Sequence, residues 1–164
     1  EEQKLGTLEL LMTAPLRDYE IVLGKYLAAL VILLAAVLLT LFYSLLLTWF
    51  GDPDVGPFLI GYIGLFLYGA TTLALGLLAS SLTGNQMVAA VIGFGTLLLL
   101  TLIEQAADIT SGNIALVLEE ISFTGHFEDF TRGIIDTNNI IYYCTTIVLF
   151  LFLTIRNIES RRWR

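Results

Sequence analysis

Charged residues are scarce in this sequence. Asp, Glu, Lys and Arg supply only 14% of its 164 residues, whereas a soluble domain carries about a quarter. Hydrophobic residues supply 57%, and they are concentrated in long uncharged runs. The net charge of −7 gives no reason to expect nucleic-acid binding, which calls for basic surfaces. This composition is typical of a protein that resides in a lipid bilayer.

The motifs that mark common enzyme sites are also missing. The sequence contains no G-x-x-x-x-G-K-[ST] loop for nucleotide phosphates, no H-E-x-x-H pair for zinc and no G-x-S-x-G nucleophile. We therefore predict no catalytic residue, no cofactor-binding residue and no metal ligand in this chain.

Cysteine and histidine occur once each. Cys144 falls in a hydrophobic run, has no cysteine to pair with, and is predicted to be a small buried apolar residue. His126 stands beside Glu128 and Asp129 in "GHFEDF". These three side chains could ligate a metal, but one histidine with two adjacent acids is a weak pattern. We favour a solvated turn at the membrane surface.

Several hydrophobic runs are long enough to cross a membrane, which takes about 20 predominantly apolar residues per helix. Four spans are predicted, at about 19–50, 57–82, 86–107 and 138–156. The runs are continuous and do not alternate polar with apolar residues, which favours helices over barrel strands. The predicted fold is an all-α polytopic membrane protein. Because ionisable side chains are nearly missing from the spans, a proton-coupled carrier is disfavoured.

The basic residues indicate how the chain is oriented. Seven of the eight Lys and Arg residues lie at the two chain ends. Four spans put both ends on one side, and the positive-inside rule assigns that side to the cytoplasm. The first and third connections are acidic and are predicted to face outward. The predicted location is the cell (inner) membrane, with several passes.

The segment 108–137, before the last span, is too long for a simple link. Three phenylalanines recur in it at helical spacings of four and three residues: Phe123, Phe127 and Phe130. We predict one or two short helices here that lie in, or dip into, the outer leaflet. Tyr142 and Tyr143, just after this segment, are predicted interfacial anchors.

A further helix is predicted before the first span, over residues 1–14. Three apolar residues share one face of its 3.6-residue period: Leu5, Leu8 and Met12. Pro15 ends this helix, because the residue before a proline is pushed out of the α region. Asp18 is the predicted N-cap of the first span. A short helix on the cytoplasmic face thus precedes a sharp turn into the bilayer.

The second and third spans are rich in small residues. Small side chains let helix backbones approach closely in lipid. Six positions are predicted to pack helices together: Gly61, Gly64, Gly69, Gly76, Ser80 and Gly93. Packing within this chain is one interpretation, and a face for further helices or a second subunit is the other.

Two motifs resemble those of type 2 ABC transporter permeases. The first is "EEQKLGTLELLMTAPLRDYEIVLGKYLA", in which Glu-Glu, Gly-Thr-Leu-Glu, Thr-x-Pro and Glu-Ile-x-x-Gly-Lys follow the order of that family. The second is "GHFEDFTRGIID", which leads into the last span. The resemblance covers essentially the whole chain and is closest to the gliding-motility-type permease subunits.

The resemblance implies a membrane subunit of an ABC exporter that is not itself an enzyme. In that family the first helix here is the coupling helix, which docks on a separate ATP-binding subunit. The residues expected to contact the ATPase are Glu1, Glu2, Gly6, Thr7, Leu8, Glu9 and Met12. The implied partners are two ATP-binding subunits, which bind the ATP, a second permease subunit and the lipid bilayer.

Family members have six spans, and the coupling helix follows the second. Residues 1–164 are therefore expected to form one partial permease domain that lacks two helices. Two other classes of protein stay open. A membrane scaffold could use the same fold to bind partners without transport. An intramembrane enzyme would need a catalytic pair within the spans, and the sequence offers none.

Overall fold

The structure, a computed structural model, describes residues 17–51, 54–109 and 122–162, and most of these residues are helical. The helices are α1 (Asp18–Phe50), α2 (Val55–Leu82), α3 (Gln86–Ile109), α4 (Phe123–Thr131) and α5 (Thr137–Arg162). All but α4 are long and apolar enough to cross a membrane. The predicted all-α fold with four spans is therefore confirmed. The helix predicted over residues 1–14 lies outside the described residues.

Side chains near the helix starts accept hydrogen bonds from backbone N–H groups that have no partner within the helix. Arg17 precedes α1, and its backbone N–H donates to Glu20 Oε2 at 2.9 Å. Asp18 is already the first helical residue, so the predicted N-cap at Asp18 is wrong by one position. At the start of α2, the Asp54 side chain accepts a hydrogen bond from the backbone N–H of Gly56.

The buried interior lies where α2 meets α1, α4 and α5. One apolar cluster joins Val22 and Tyr26 of α1 to Ala74 of α2 and Leu151 of α5. Cys144 of α5 is exposed, so its predicted burial is wrong. The neighbouring Tyr143 is fully buried. Because successive helical residues point about 100° apart, Tyr143 takes the inward position and Cys144 does not.

Long apolar side chains cover much of the outside of α1 and α3. Leu39 of α1 is 75% exposed and Val91 of α3 is 71% exposed. Such a surface would associate or precipitate in water, but it matches the hydrocarbon of a bilayer. The described residues thus present to their surroundings the apolar face that membrane helices need.

The bundle has two distinct ends. The terminal end contains Arg17, the α2–α3 connection and the last turns of α5. The loop end contains the α1–α2 connection and the chain between α4 and α5. α1 and α5 therefore run in opposite directions, and α2 returns the chain from the loop end to the terminal end.

α4 lies inside the bundle, between its middle and the loop end. The Phe123 ring, at the start of α4, lies 6.5 Å from the ring of Tyr68, which is halfway along α2. It also lies 6.4 Å from the ring of Phe150, which is halfway along α5. Gly133, just after α4, contacts Pro57 near the start of α2. Nine helical residues span about 14 Å, so α4 rises from mid-depth to the loop end. The prediction of a short helix in this segment is confirmed, and its placement in the outer leaflet stays a prediction.

Candidate functional site

The contact between α4 and α2 depends on a glycine. Phe130 of α4 is fully buried, and its ring lies directly over Gly64. A Cβ at position 64 would come within 2.6 Å of Phe130 Cγ, closer than real side chains approach. Gly61, one turn earlier on α2, faces the Phe130 carbonyl oxygen, which would lie 3.8 Å from an added Cβ. Gly64 therefore forms the notch into which α4 inserts its largest buried side chain.

A second glycine ends α4 at the loop end. Gly133 has φ of +78°, the left-handed conformation in which glycine is favoured. Its N–H donates to the Phe130 carbonyl at 3.1 Å, and the Ile134 N–H donates to the Asp129 carbonyl at 2.9 Å. This arrangement satisfies carbonyl groups at the helix end. A Cβ on Gly133 would also lie 2.8 Å from Pro57 Cα, so this position both turns the chain and holds it against α2.

α5 holds the other side of α4 through polar contacts. The Tyr143 hydroxyl donates to the Phe123 carbonyl oxygen at 2.7 Å. Asn139, 5% exposed, donates from Nδ2 to Asp129 Oδ2 at 2.9 Å. Tyr143 is thus a core residue, and its predicted role as an interfacial anchor is wrong. Its hydroxyl has a partner inside the protein, which is what a buried tyrosine requires.

His126 lies on α4 and faces α5. Its ring stacks on the Tyr142 ring, with centroids 3.9 Å apart and planes inclined by 8°. Its Nδ1–H donates to the Ser122 carbonyl at 2.8 Å. The predicted solvated turn at His126 is wrong, because the residue is helical and partly buried. Within the described residues, no group of three or more His, Cys, Asp and Glu side chains could hold a metal ion.

At the buried start of α4, the Ser122 hydroxyl is paired, whereas the buried Thr124 hydroxyl has no hydrogen-bond partner among the described residues. Ser122 is 1% exposed, and its hydroxyl accepts a hydrogen bond from the Gly125 N–H at 3.1 Å. Around it, the Phe127 ring lies 5.5 Å from the Tyr68 ring. Irregular backbone at membrane depth is tolerated only where protein or water surrounds it. Here the surrounding material is an aromatic cluster contributed by α2, α4 and α5.

At the terminal end, α2 and α5 are joined by a side-chain amide. Asn157 Nδ2 donates to the Ser81 carbonyl at 2.6 Å and lies 3.0 Å from Ser81 Oγ. Tyr26 of α1 donates its hydroxyl hydrogen to the Ala70 carbonyl at 3.1 Å. These contacts tie α1 and α5 to α2 in the half of the bundle where α1 begins.

The six small residues singled out in the sequence have different surroundings. Gly69 faces Leu33 of α1, whose Cδ2 would lie 2.9 Å from an added Cβ. Gly93 faces Ala79, whose Cβ would be at 3.6 Å. Gly76 and Ser80 are exposed instead and line a shallow groove of about 390 Å³ between α2 and α3. Gly61 and Gly64 face α4, as described above.

The residues predicted to contact an ATPase, from Glu1 to Met12, lie outside the described residues. The contacts made by Phe130, Tyr143, His126 and Asn157 were not predicted from the sequence. For Asn157 and Tyr143 the sequence does carry one signal. Polar side chains on a mostly apolar helix require hydrogen-bond partners. That signal does not say which helix supplies the partner.

Together these contacts define a class of protein: a polytopic helical membrane protein with a short helix embedded between two of its spans. A family model for "ABC-2 family transporter protein" matches residues 1–157. The chain belongs to this family. Comparisons with curated proteins and with solved structures gave no match.

Family membership confirms the coarser part of the resemblance to ABC permeases. The chain is a multi-pass membrane protein and a permease subunit of an ABC transporter. Such subunits associate with an ABC ATPase subunit and are typically not catalytic themselves.

Proposed function

We propose that this permease couples ATP hydrolysis by a separate ATPase to the export of a substrate across the cell (inner) membrane. One observation carries the mechanical part of the proposal. α2 and α5, which Asn157 joins at the terminal end, also grip both sides of α4 near the loop end. A displacement of the terminal ends of α2 and α5 therefore moves the residues of both helices that contact α4.

The proposed docking site for the ATPase is the helix over residues 1–14, with Gly6 to Glu9 at its centre. Two features support this assignment. The sequence there resembles the coupling helix of type 2 permeases, and the match to the ABC-2 family includes it. The chain then enters α1 at Arg17, and α1 is tied to α2 by the Tyr26 hydrogen bond. A push on the docking helix would reach α2 along this route.

The proposed assembly contains two ATPase subunits and a second permease subunit, with ATP bound only by the ATPases. Both ends of the chain are placed in the cytoplasm. The support is the concentration of seven of the eight basic residues at the chain ends, which the positive-inside rule assigns to that side.

The test uses charge and size changes within the docking helix. The chain is co-expressed with its ABC ATPase, purified, and reconstituted into liposomes as unchanged protein, Glu9→Lys or Gly6→Trp. Glu128→Lys is the matched control, because Glu128 is an exposed acid on α4, far from the terminal end, whose salt bridge to Arg132 contributes little. We expect both docking variants to lose the ATPase on purification and the control to retain it.

ATP hydrolysis by the reconstituted complexes completes the test. Permease-dependent hydrolysis should be lost in both docking variants and kept in Glu128→Lys. Unaltered ATPase binding by both docking variants would contradict the assignment. A complex that binds the ATPase but whose hydrolysis no substrate stimulates would indicate the scaffold alternative.

A further inference from the structure

A shallow apolar groove runs along the surface between α2 and α4. Its volume is about 290 Å³. Phe58, Gly61, Tyr62 and Leu65 of α2 line it together with Phe127 of α4. The groove lies in the half of the bundle that contains α4, between mid-depth and the loop end.

The polar side chains of the groove are already paired. The Tyr62 hydroxyl lies 3.0 Å from Ser44 Oγ of α1, with which it shares a hydrogen bond. The Thr131 hydroxyl donates to the Glu128 carbonyl at 2.7 Å. A ligand with hydrogen-bonding groups would therefore find little to pair with here. The chemistry of the groove suits an apolar occupant.

The groove is continuous with the surface that faces the bilayer. Leu65, which lines it, is 41% exposed, and Leu47, one turn from Ser44 on α1, is 59% exposed. A groove left unfilled in hydrocarbon would forfeit dispersion contacts along its walls. A flexible hydrocarbon chain can fill it from the surrounding leaflet without dehydrating any polar group.

We propose that this groove holds one acyl chain of a phospholipid from the leaflet that surrounds α4. Lipid tails are as apolar as leucine, so the chain is retained by fit and not by transfer out of water. Lodged between Leu65 and Phe127, it supports α4 on the flank that residues 17–51, 54–109 and 122–162 leave open. This proposal does not depend on ATPase docking or on export.

The experiment is photo-crosslinking of the full chain in phosphatidylcholine liposomes that contain a small fraction of lipid with a diazirine on one acyl chain. Peptide mass spectrometry then locates the label. Leu39 and Val91 are the reference positions, because at 75% and 71% they are more exposed than Leu65, which is 41% exposed. We expect Leu65, Phe58 and Phe127 to carry several-fold more label than these references.

The proposal would be overturned if labelling simply followed exposure, so that Leu39 and Val91 carried as much label as the groove residues or more. A groove without label would do the same, since it would indicate that a protein segment covers it. This comparison needs only the unchanged chain.

A variant pair provides the second arm. An added Cβ at Gly61 would meet only the Phe130 carbonyl oxygen, at an ordinary 3.8 Å, so Gly61→Leu should fold and occupy the groove. Gly24→Leu is the matched control, because nothing lies within 4 Å of a Cβ there. Label in the groove should fall several-fold in Gly61→Leu and stay unchanged in Gly24→Leu. Equal labelling in the two variants would contradict the proposal.

Discussion

At the scale of single residues, two glycines determine how α4 sits in the membrane. Gly64 makes room for the buried Phe130 ring, and Gly133 supplies the left-handed turn that ends α4 at the loop end. Other glycines of the same spans have open space beside them, as Gly76 does. Glycine abundance alone therefore does not identify the positions where packing requires it.

A pair of identical substitutions separates these two kinds of glycine. Gly64→Ala should lower the unfolding temperature, because the new methyl group overlaps Phe130 and overpacking costs about 1–3 kcal/mol. Gly76→Ala should leave it unchanged or raise it, since alanine in an open helical position gains about 0.5–1 kcal/mol. Thermal unfolding of both purified proteins in the same detergent measures the difference. Equal unfolding temperatures would mean that Phe130 does not depend on the Gly64 notch.

At the scale of elements, α2 and α5 are the connectors of the molecule. Each contacts the other at the terminal end and contacts α4 in the opposite half. α3 is less buried than α2 and α5, because Gly93 is the one buried residue in its described part. Movement that enters at the terminal end therefore has a physical route to α4 through α2 and α5.

The Asn157 amide is the place to interrupt that route. Asn157→Leu removes both hydrogen bonds to Ser81 but keeps α5 apolar. Hydrogen bonds between membrane helices contribute about 0.6 kcal/mol on average, so the fold should survive. We expect permease-dependent ATP hydrolysis to fall well below that of Asn138→Leu, a control at an exposed position near the start of α5. Equal hydrolysis by the two variants would show that Asn157 does not transmit motion.

The sequence was sufficient to predict the spans, because each is a continuous apolar run that reaches the roughly 20 residues a bilayer requires. It also predicted a short helix in the segment that contains Phe123, Phe127 and Phe130, and the structure has one there. The depth of α4 could not be predicted from the sequence, because it depends on the packing of Phe130 against Gly64 and these residues are distant in the chain. For the same reason the burial of Tyr143 and Cys144 was predicted the wrong way round.

At the scale of the whole molecule, the exposed apolar faces of α1 and α3 leave a large surface to lipid and to other subunits. Within the described residues, a hydrogen bond from Tyr143 holds α4 to α5, and a hydrogen bond from Asn157 joins α5 to α2 at the terminal end. Such an arrangement suits a permease subunit that receives its energy from a partner. That partner is the ABC ATPase subunit with which permeases of this family associate.

The most direct test is affinity purification of the tagged chain from its own membranes in mild detergent, with mass-spectrometric identification of what accompanies it. The matched control is the same chain with Gly6 to Glu9 scrambled. We expect an ATPase with a nucleotide-binding loop to be recovered with the unchanged chain and lost from the scrambled one. Recovery of the unchanged chain without any such ATPase, or equal recovery with the scrambled chain, would contradict this expectation.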